Sequence, residues 1–322
     1  MIKSGKDIIF AARLIKEGKL VAFPTETVYG LGADGLNAKA VARIFEVKKR
    51  PSFDPLILHI DKIDVLGDIF KNPVSPLILR LAEKYWPGPL TIVAPRHKNI
   101  PDIVTSGLST VAVRMPNHPV ALKLIRHSGV PIAAPSANLF GRISPTTPEH
   151  VKMQLDKVDY LINGGKTNFG IESTIVSVTD KTIEILRPGV ITDIQLAADF
   201  PDVKIVHGDS SEKISSPGQL KKHYSPSKPF FLVEELPEEL PNNVALVLIE
   251  PIKLPKSAKC KFYYLSPKGD LLEAASNLFA AFHDFEKARI VEKIYTIKIK
   301  EEGIGKAIMD RLKKAAFQYE EK

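Results

Sequence analysis

Ser4 precedes apolar Ile8, Ile9, Ala11, Ala12 and Ile15, and Gly18 follows; this spacing predicts an amphipathic helix capped by Ser4 and stopped by the glycine. Leu20–Phe23 then reads as a short buried strand that ends at Pro24. Asn37 is placed to cap a second helix whose apolar face is Val41, Ile44 and Phe45. Further strands are expected at Leu56–Ile60, Leu90–Ala94, Thr110–Arg114, Ile132–Ala134, Thr174–Val178 and Thr182–Leu186, with helical patterns around Val74–Tyr85, His118–His127 and Pro148–Leu155. Strands and helices mix irregularly, which favours an α/β fold with a twisted mixed sheet over a strictly doubly wound one.

After Val206 the texture changes. The stretch 208–229 is polar, rich in Ser, Pro and Lys and without periodicity, as expected of a linker. Beyond it, strands are expected at Phe230–Val233, Val244–Ile249, Phe262–Leu265 and Ile290–Ile299, and helices at Gly269–Lys287 and Gly305–Tyr319. The organisation read from this is a first α/β domain over residues 1–207, a linker over 208–229, and a smaller α/β domain over 230–322.

Composition narrows the class. Hydrophobic residues make up 44% and charged ones 25%, ordinary for a chain with a packed core. Cys260 is the single cysteine, so no internal disulfide or cysteine-built zinc site is expected, and a reducing cytoplasm is the natural compartment. No apolar run reaches the roughly 18 residues needed to span a bilayer, so no membrane partner is expected. The net charge of +8 fits a nucleic-acid surface, an internal site for anions, or merely a solubilising surface, and composition alone does not choose.

Several familiar chemistries lack their residues. The nearest approach to a phosphate-binding P-loop, Gly303-Ile304-Gly305-Lys306, continues with Ala307 and lacks the upstream glycine. Neither the eight histidines nor the carboxylates fall at metal-ligand spacings, and no Gly-Xaa-Ser-Xaa-Gly elbow occurs. What stands out are loops at strand and helix ends dense in groups that bind anions. They are Thr25-Glu26-Thr27-Val28-Tyr29-Gly30, Lys48-Lys49-Arg50 before Asp54, Val113-Arg114-Met115-Pro116, Ala134-Pro135-Ser136-Ala137-Asn138 with Ser144, Glu172-Ser173-Thr174, and Arg187-Pro188-Gly189. Each alone has an ordinary explanation as a turn or helix end; their concentration at element ends is what points to a site.

In this order the segments resemble YrdC-type threonylcarbamoyl-AMP synthases, specifically the long form with an additional C-terminal domain. Trp86-Pro87-Gly88-Pro89-Leu90-Thr91, the linker motif Ser216–Pro226 with His223-Tyr224, and the tail Gly303–Leu312 extend the resemblance over nearly the whole chain. Asp310 stands where the family pattern leads one to expect Asn, and Gln219-Leu220 match loosely.

The resemblance implies a YrdC-like basic concave site followed by a Rossmann-like domain. It implies an enzyme that joins L-threonine, bicarbonate or CO2, and ATP with Mg2+ into threonylcarbamoyl-AMP and pyrophosphate. A downstream tRNA threonylcarbamoyl transferase is the expected partner. Carried onto this chain, Lys48, Arg50, Ser136 and Asn138 are the expected catalytic group. ATP is expected to meet Arg50, Asp54, Thr110, Ser136, Ser144, Arg187 and Tyr224, and threonine Thr27, His59, Arg114, Ala134 and Ser173. The linker is a candidate lid, and no protein-held metal is expected. The rival reading is a basic RNA-binding module without chemistry. Its interleaved aromatics are missing from a chain only 7% aromatic, though weak RNA binding stays among the expected partners.

Overall fold

A computed structural model describes residues 2–208, 216–218, 220, 223–254, 260–317 and 319. The first half holds β1 (Ser4–Gly5), α1 (Ile8–Lys16), β2 (Val21–Phe23), β3 (Gly30–Asp34), α2 (Ala38–Lys48), β4 (Ile57–His59), α3 (Leu66–Ile69), α4 (Pro76–Tyr85), β5 (Leu90–Pro95), α5 (Asp102–Thr105) and β6 (Thr110–Arg114). It continues with α6 (Pro119–Ser128), β7 (Ile132–Ala133), α7 (Pro148–Gln154), β8 (Tyr160–Ile162), β9 (Thr174–Val178), β10 (Thr182–Arg187), α8 (Asp193–Asp199) and β11 (Lys204–His207). The remainder comprises β12 (Phe230–Val233), β13 (Val244–Leu248), β14 (Lys261–Tyr264), α9 (Leu271–Lys287), β15 (Lys293–Ile297) and α10 (Ile304–Ala316).

Eleven strands form one mixed sheet in the order β1-β8-β2-β3-β7-β4-β6-β5-β9-β10-β11. The smaller sheet is wholly parallel, in the order β12-β15-β13-β14. Strands such as β2 and β4 are buried along their whole length, which is why they read as short unbroken apolar runs. The helices that flank them start on clear local signals. Asn37 accepts from the Lys39 and Ala40 amides, and proline occupies the first turn of α4, α6 and α7.

One expectation needs correction, and one strand went unpredicted. The cap of α1 is Asp7, whose carboxylate accepts from the Phe10 amide, while Ser4 lies in β1 beside β8. Strand β3 gave no sequence signal because two glycines interrupt it. Gly32 must remain glycine there: a Cβ would lie 2.7 Å from the Phe23 ring and 2.8 Å from Ile132.

The apolar core of the second sheet crosses into the first domain. Val28, Ile143 and Ile171 pack in one buried cluster with Tyr224, Phe279, Phe282 and Ile308. The two units therefore share a core near the loops singled out above.

Candidate active site

His59 and Arg114 end the parallel neighbours β4 and β6 and stand opposite each other in register. Each strand end delivers one polar side chain into the same space, which is how an α/β sheet builds a site. Arg114 is 3% exposed; its guanidinium donates to Thr27 Oγ1 at 2.9 Å and meets Glu26 Oε1 at 2.6 Å, off the line of a hydrogen bond. Burial, then the Arg114 charge, depress the His59 imidazole to about 3, so it is neutral at ordinary pH.

The Lys48-Lys49-Arg50 turn has a specific backbone cause. Lys49 caps α2 in the left-handed region (φ 51°), so the exposed Lys49 points away while Lys48 and Arg50 both turn inward. Their roles separate there. Lys48 is 1% exposed and donates at 2.5 Å to the carbonyls of both Ser136 and Asn138. Burial, then the neighbouring Arg50, push its ammonium well below the usual lysine range. Arg50 faces the cavity, held by the Asp54 and Pro55 carbonyls and by an ion pair of 2.9 Å to Asp54.

At the far wall Arg187, the last residue of β10, donates to the Ser173 carbonyl from two nitrogens and to Ser173 Oγ at 3.2 Å. Ser173 also shares a 2.8 Å contact with Thr91. Glu172 accepts from Ser144 Oγ at 2.5 Å. Linker residues complete the enclosure: Pro217, Gly218, His223 and Tyr224 all line the cavity. Gly218 is required at φ 83°, since a Cβ would come within 3.0 Å of both Arg187 and the Tyr224 hydroxyl. Tyr224 itself sits at φ 59° and is wholly buried.

Nine of the expected residues line this one cavity: Thr27, Arg50, His59, Arg114, Ala134, Ser136, Ser173, Arg187 and Tyr224. Four others support it from behind. Besides Lys48 and Asp54, the Asn138 amide donates to the Leu139 and Arg142 carbonyls, and Ser144 holds Glu172. Lys48 was expected in the catalytic group; the structure puts it at the end of α2 with its ammonium engaged by backbone. Thr110 is not brought to the cavity. It opens β6 at the end opposite Arg114, paired with Pro95. Glu26, Glu172 and Arg311 lay inside quoted motifs without a role, and His223 and Thr91 were likewise overlooked; a carboxylate flanked by Thr25 and Thr27 was the available signal for Glu26.

The enclosed space is small, about 50 Å³. A roomier cleft of about 990 Å³ lies between β12 and the β10–β11 edge, but it lacks the arginine and Ser/Thr convergence of the small one. No group of three or more His, Cys, Asp or Glu side chains among the described residues is arranged to hold a metal ion, and no helix among them is long and apolar enough to cross a membrane.

Comparison with known proteins places the fold. The Sua5, YciO and YrdC family, described as "Telomere recombination", matches residues 13–189, and the "Threonylcarbamoyl-AMP synthase, C-terminal domain" matches residues 178–317. The chain belongs to the Sua5/YciO/YrdC family. Among its relatives, the threonylcarbamoyl-AMP synthase of Pyrococcus abyssi is 39% identical, over 96% of this chain and 94% of its own. The Bacillus subtilis enzyme of the same name is 41% identical, over 95% and 92%. The crystal structure of P. abyssi Sua5 complexed with L-threonine superposes with a TM-score of 0.87 at 37% identity, covering 98% of both chains. Both α/β units of this family member thus have counterparts in a solved structure.

Proposed function

We propose that this chain is a threonylcarbamoyl-AMP synthase acting on L-threonine, bicarbonate or CO2, and ATP. The observation that carries the reading is the enclosed cavity itself. Arg50, Arg114 and Arg187 line it together with Ser and Thr donors, and Glu172 is the one carboxylate lining it among the described residues. Such a lining suits two anionic substrates that must be brought together. The threonine complex of the P. abyssi relative supports assigning one of them to threonine.

In this reading Arg114 clamps the threonine carboxylate, with Thr27, His59, Ala134 and Ser173 around the rest of the amino acid. Arg50, Ser136 and Arg187 face the triphosphate, Tyr224 closes over it, and Lys48 and Asn138 shape the loop that carries Ser136. The threonine nitrogen bonds to the carbon of bicarbonate with release of water, or to the carbon of CO2 with release of a proton, giving a carbamate in either case. A carbamate oxygen then bonds to the α-phosphorus as pyrophosphate leaves. Positioning and charge neutralisation are the protein's main contributions to that displacement. Magnesium is proposed as the companion of ATP, held by phosphates and water, since Glu172 is already engaged by Ser144 and Arg311. The product then passes to a transferase that acts on tRNA.

ATP requires a pocket of several hundred Å³, on the scale of ordinary ligand sites, whereas the closed cavity offers about 50 Å³. The linker segment 216–226 is therefore proposed as a lid that swings out to admit ATP; Gln219, Lys221 and Lys222 of that segment lie outside the described residues. Pyrophosphate release that requires threonine, bicarbonate and MgATP together is the expected result. Release supported equally by serine or valine would overturn the amino-acid assignment.

A further inference from the structure

Arg311 belongs to α10 in the second unit, yet it is 0% exposed and its guanidinium ends in the wall of the first unit's cavity. Its Nε and one terminal nitrogen each stand 3.2 Å from Glu172 Oε2, and the other terminal nitrogen donates to the Pro188 carbonyl at 2.5 Å. These partners adjoin Ser173 and Arg187 in the chain, the two residues hydrogen-bonded across the cavity wall. The guanidinium carbon also lies 5.5 Å from the centre of the Tyr224 ring. Asp310 accepts from Arg311 at 3.2 Å and pairs with Lys314, which donates to the Gly218 carbonyl at 2.7 Å. A second contact crosses at the same place: His283 Nε2 donates to the Ser144 carbonyl at 3.2 Å, and Ser144 is the residue that holds Glu172.

We propose that Arg311 is a positioning residue for the synthase reaction, through which the C-terminal domain neutralises Glu172 and fixes the Ser173–Arg187 wall so that the cavity accepts ATP. The inference rests on the synthase reading above. Its physical core is the sign of the charges. Glu172 is a carboxylate lining a site that must take a triphosphate, and like charges in a buried site repel strongly. Arg311 supplies the opposite charge from outside the cavity, without competing with Arg50 or Arg187 for the ligand. The second unit thereby becomes part of the site, acting through Glu172 and Tyr224 rather than touching the reacting atoms.

The test is MgATP binding to the full chain by calorimetry, with the melting temperature of each variant measured alongside. Arg311→Met is expected to weaken ATP binding about tenfold or more, because removing one partner leaves an uncompensated buried charge. Arg311→Met/Glu172→Gln, which removes the charge as well, is expected to recover most of that loss even though the contacts to Pro188 remain absent. Arg311→Gln keeps a donor without the charge; it should show the same loss and replaces the Met variant if that one does not fold. A double variant no better than the single would reduce Arg311 to a packing residue and overturn the proposal. Unchanged ATP affinity in every variant would overturn it too. Absence of ATP binding by the unmodified chain would instead overturn the synthase reading, and this inference with it.

Discussion

The two ends of the cavity are built differently. The Arg114 end comes entirely from the first domain: β4 and β6 set His59 and Arg114 side by side, and Glu26 and Thr27 anchor the guanidinium. The Arg187 end draws on three separate stretches of chain: β10 with Arg187, the linker with Pro217 and Tyr224, and α10 with Arg311. One end is preorganised by a sheet; the other exists only when three segments come together. Preorganised sites spend less binding energy on ordering, whereas assembled ones can open.

That contrast breaks most sharply at Arg114. Arg114→Ala should cost about 10²–10³ in threonine-dependent turnover while leaving MgATP affinity near that of the unmodified chain, as measured by steady-state kinetics and calorimetry. An equal loss of ATP affinity would mean the two ends are not separable.

Next in size is Lys48→Met. It leaves the Ser136 and Asn138 carbonyls without their buried donor, so a stability loss of about 1–3 kcal/mol for each is expected, read from urea unfolding. Arg50→Ala should instead lose ATP affinity, and Arg50→Ala/Asp54→Asn, which leaves no uncompensated buried carboxylate, should keep that loss with a smaller change in unfolding midpoint. Reversed results would exchange the supporting and ligand-facing roles of these two side chains.

Acid gives a third handle. Burial lowers His59 to about 3 and His283 to about 4, and holds His223 well below the ordinary value. These groups bind fewer protons folded than unfolded, so the stability they contribute is complete above pH 6.5 and falls as pH drops toward their folded values. His59 and His283 should each forfeit about 2 kcal/mol between pH 7 and pH 5, and His223 adds to the loss in the same direction. Two of the three lie in the linker and α9, so protease sensitivity at the linker should rise before the large sheet unfolds. Simultaneous loss of both would argue for a single cooperative unit.

The smallest expected effect is Tyr224→Phe. Among the described residues the Tyr224 hydroxyl is buried without a hydrogen-bond partner, and its removal should leave the melting temperature unchanged while weakening ATP binding by about fivefold, as expected of a hydroxyl that meets the nucleotide. Unchanged affinity would leave the ring alone as its contribution.

Much of the first domain was legible because its strands are short apolar runs bounded by proline and polar loops: Thr110–Arg114 and Thr174–Val178 fall on the observed strand limits. Strand β3 was not, since glycines chosen for close approach to Phe23 carry no strand signal. The site was legible as a set of loops, and less so as a division of labour. Lys48 and Arg50 look alike in sequence, and only the left-handed turn at Lys49 and the burial of α2 assign one to the loop behind and the other to the cavity. Arg311 was illegible as a site residue because its meaning depends on a contact 139 positions away.

The narrowness of the closed cavity bears on how ligands for this protein are to be found. Under the proposed lid, ATP-sized compounds are expected to enter by co-crystallisation rather than by soaking, because the cavity as it stands offers about 50 Å³. Co-crystallisation from the outset, with the linker free to move, is the practical route. Compounds that hold Tyr224 away from its burial place would then act as wedges, blocking turnover without resembling either substrate.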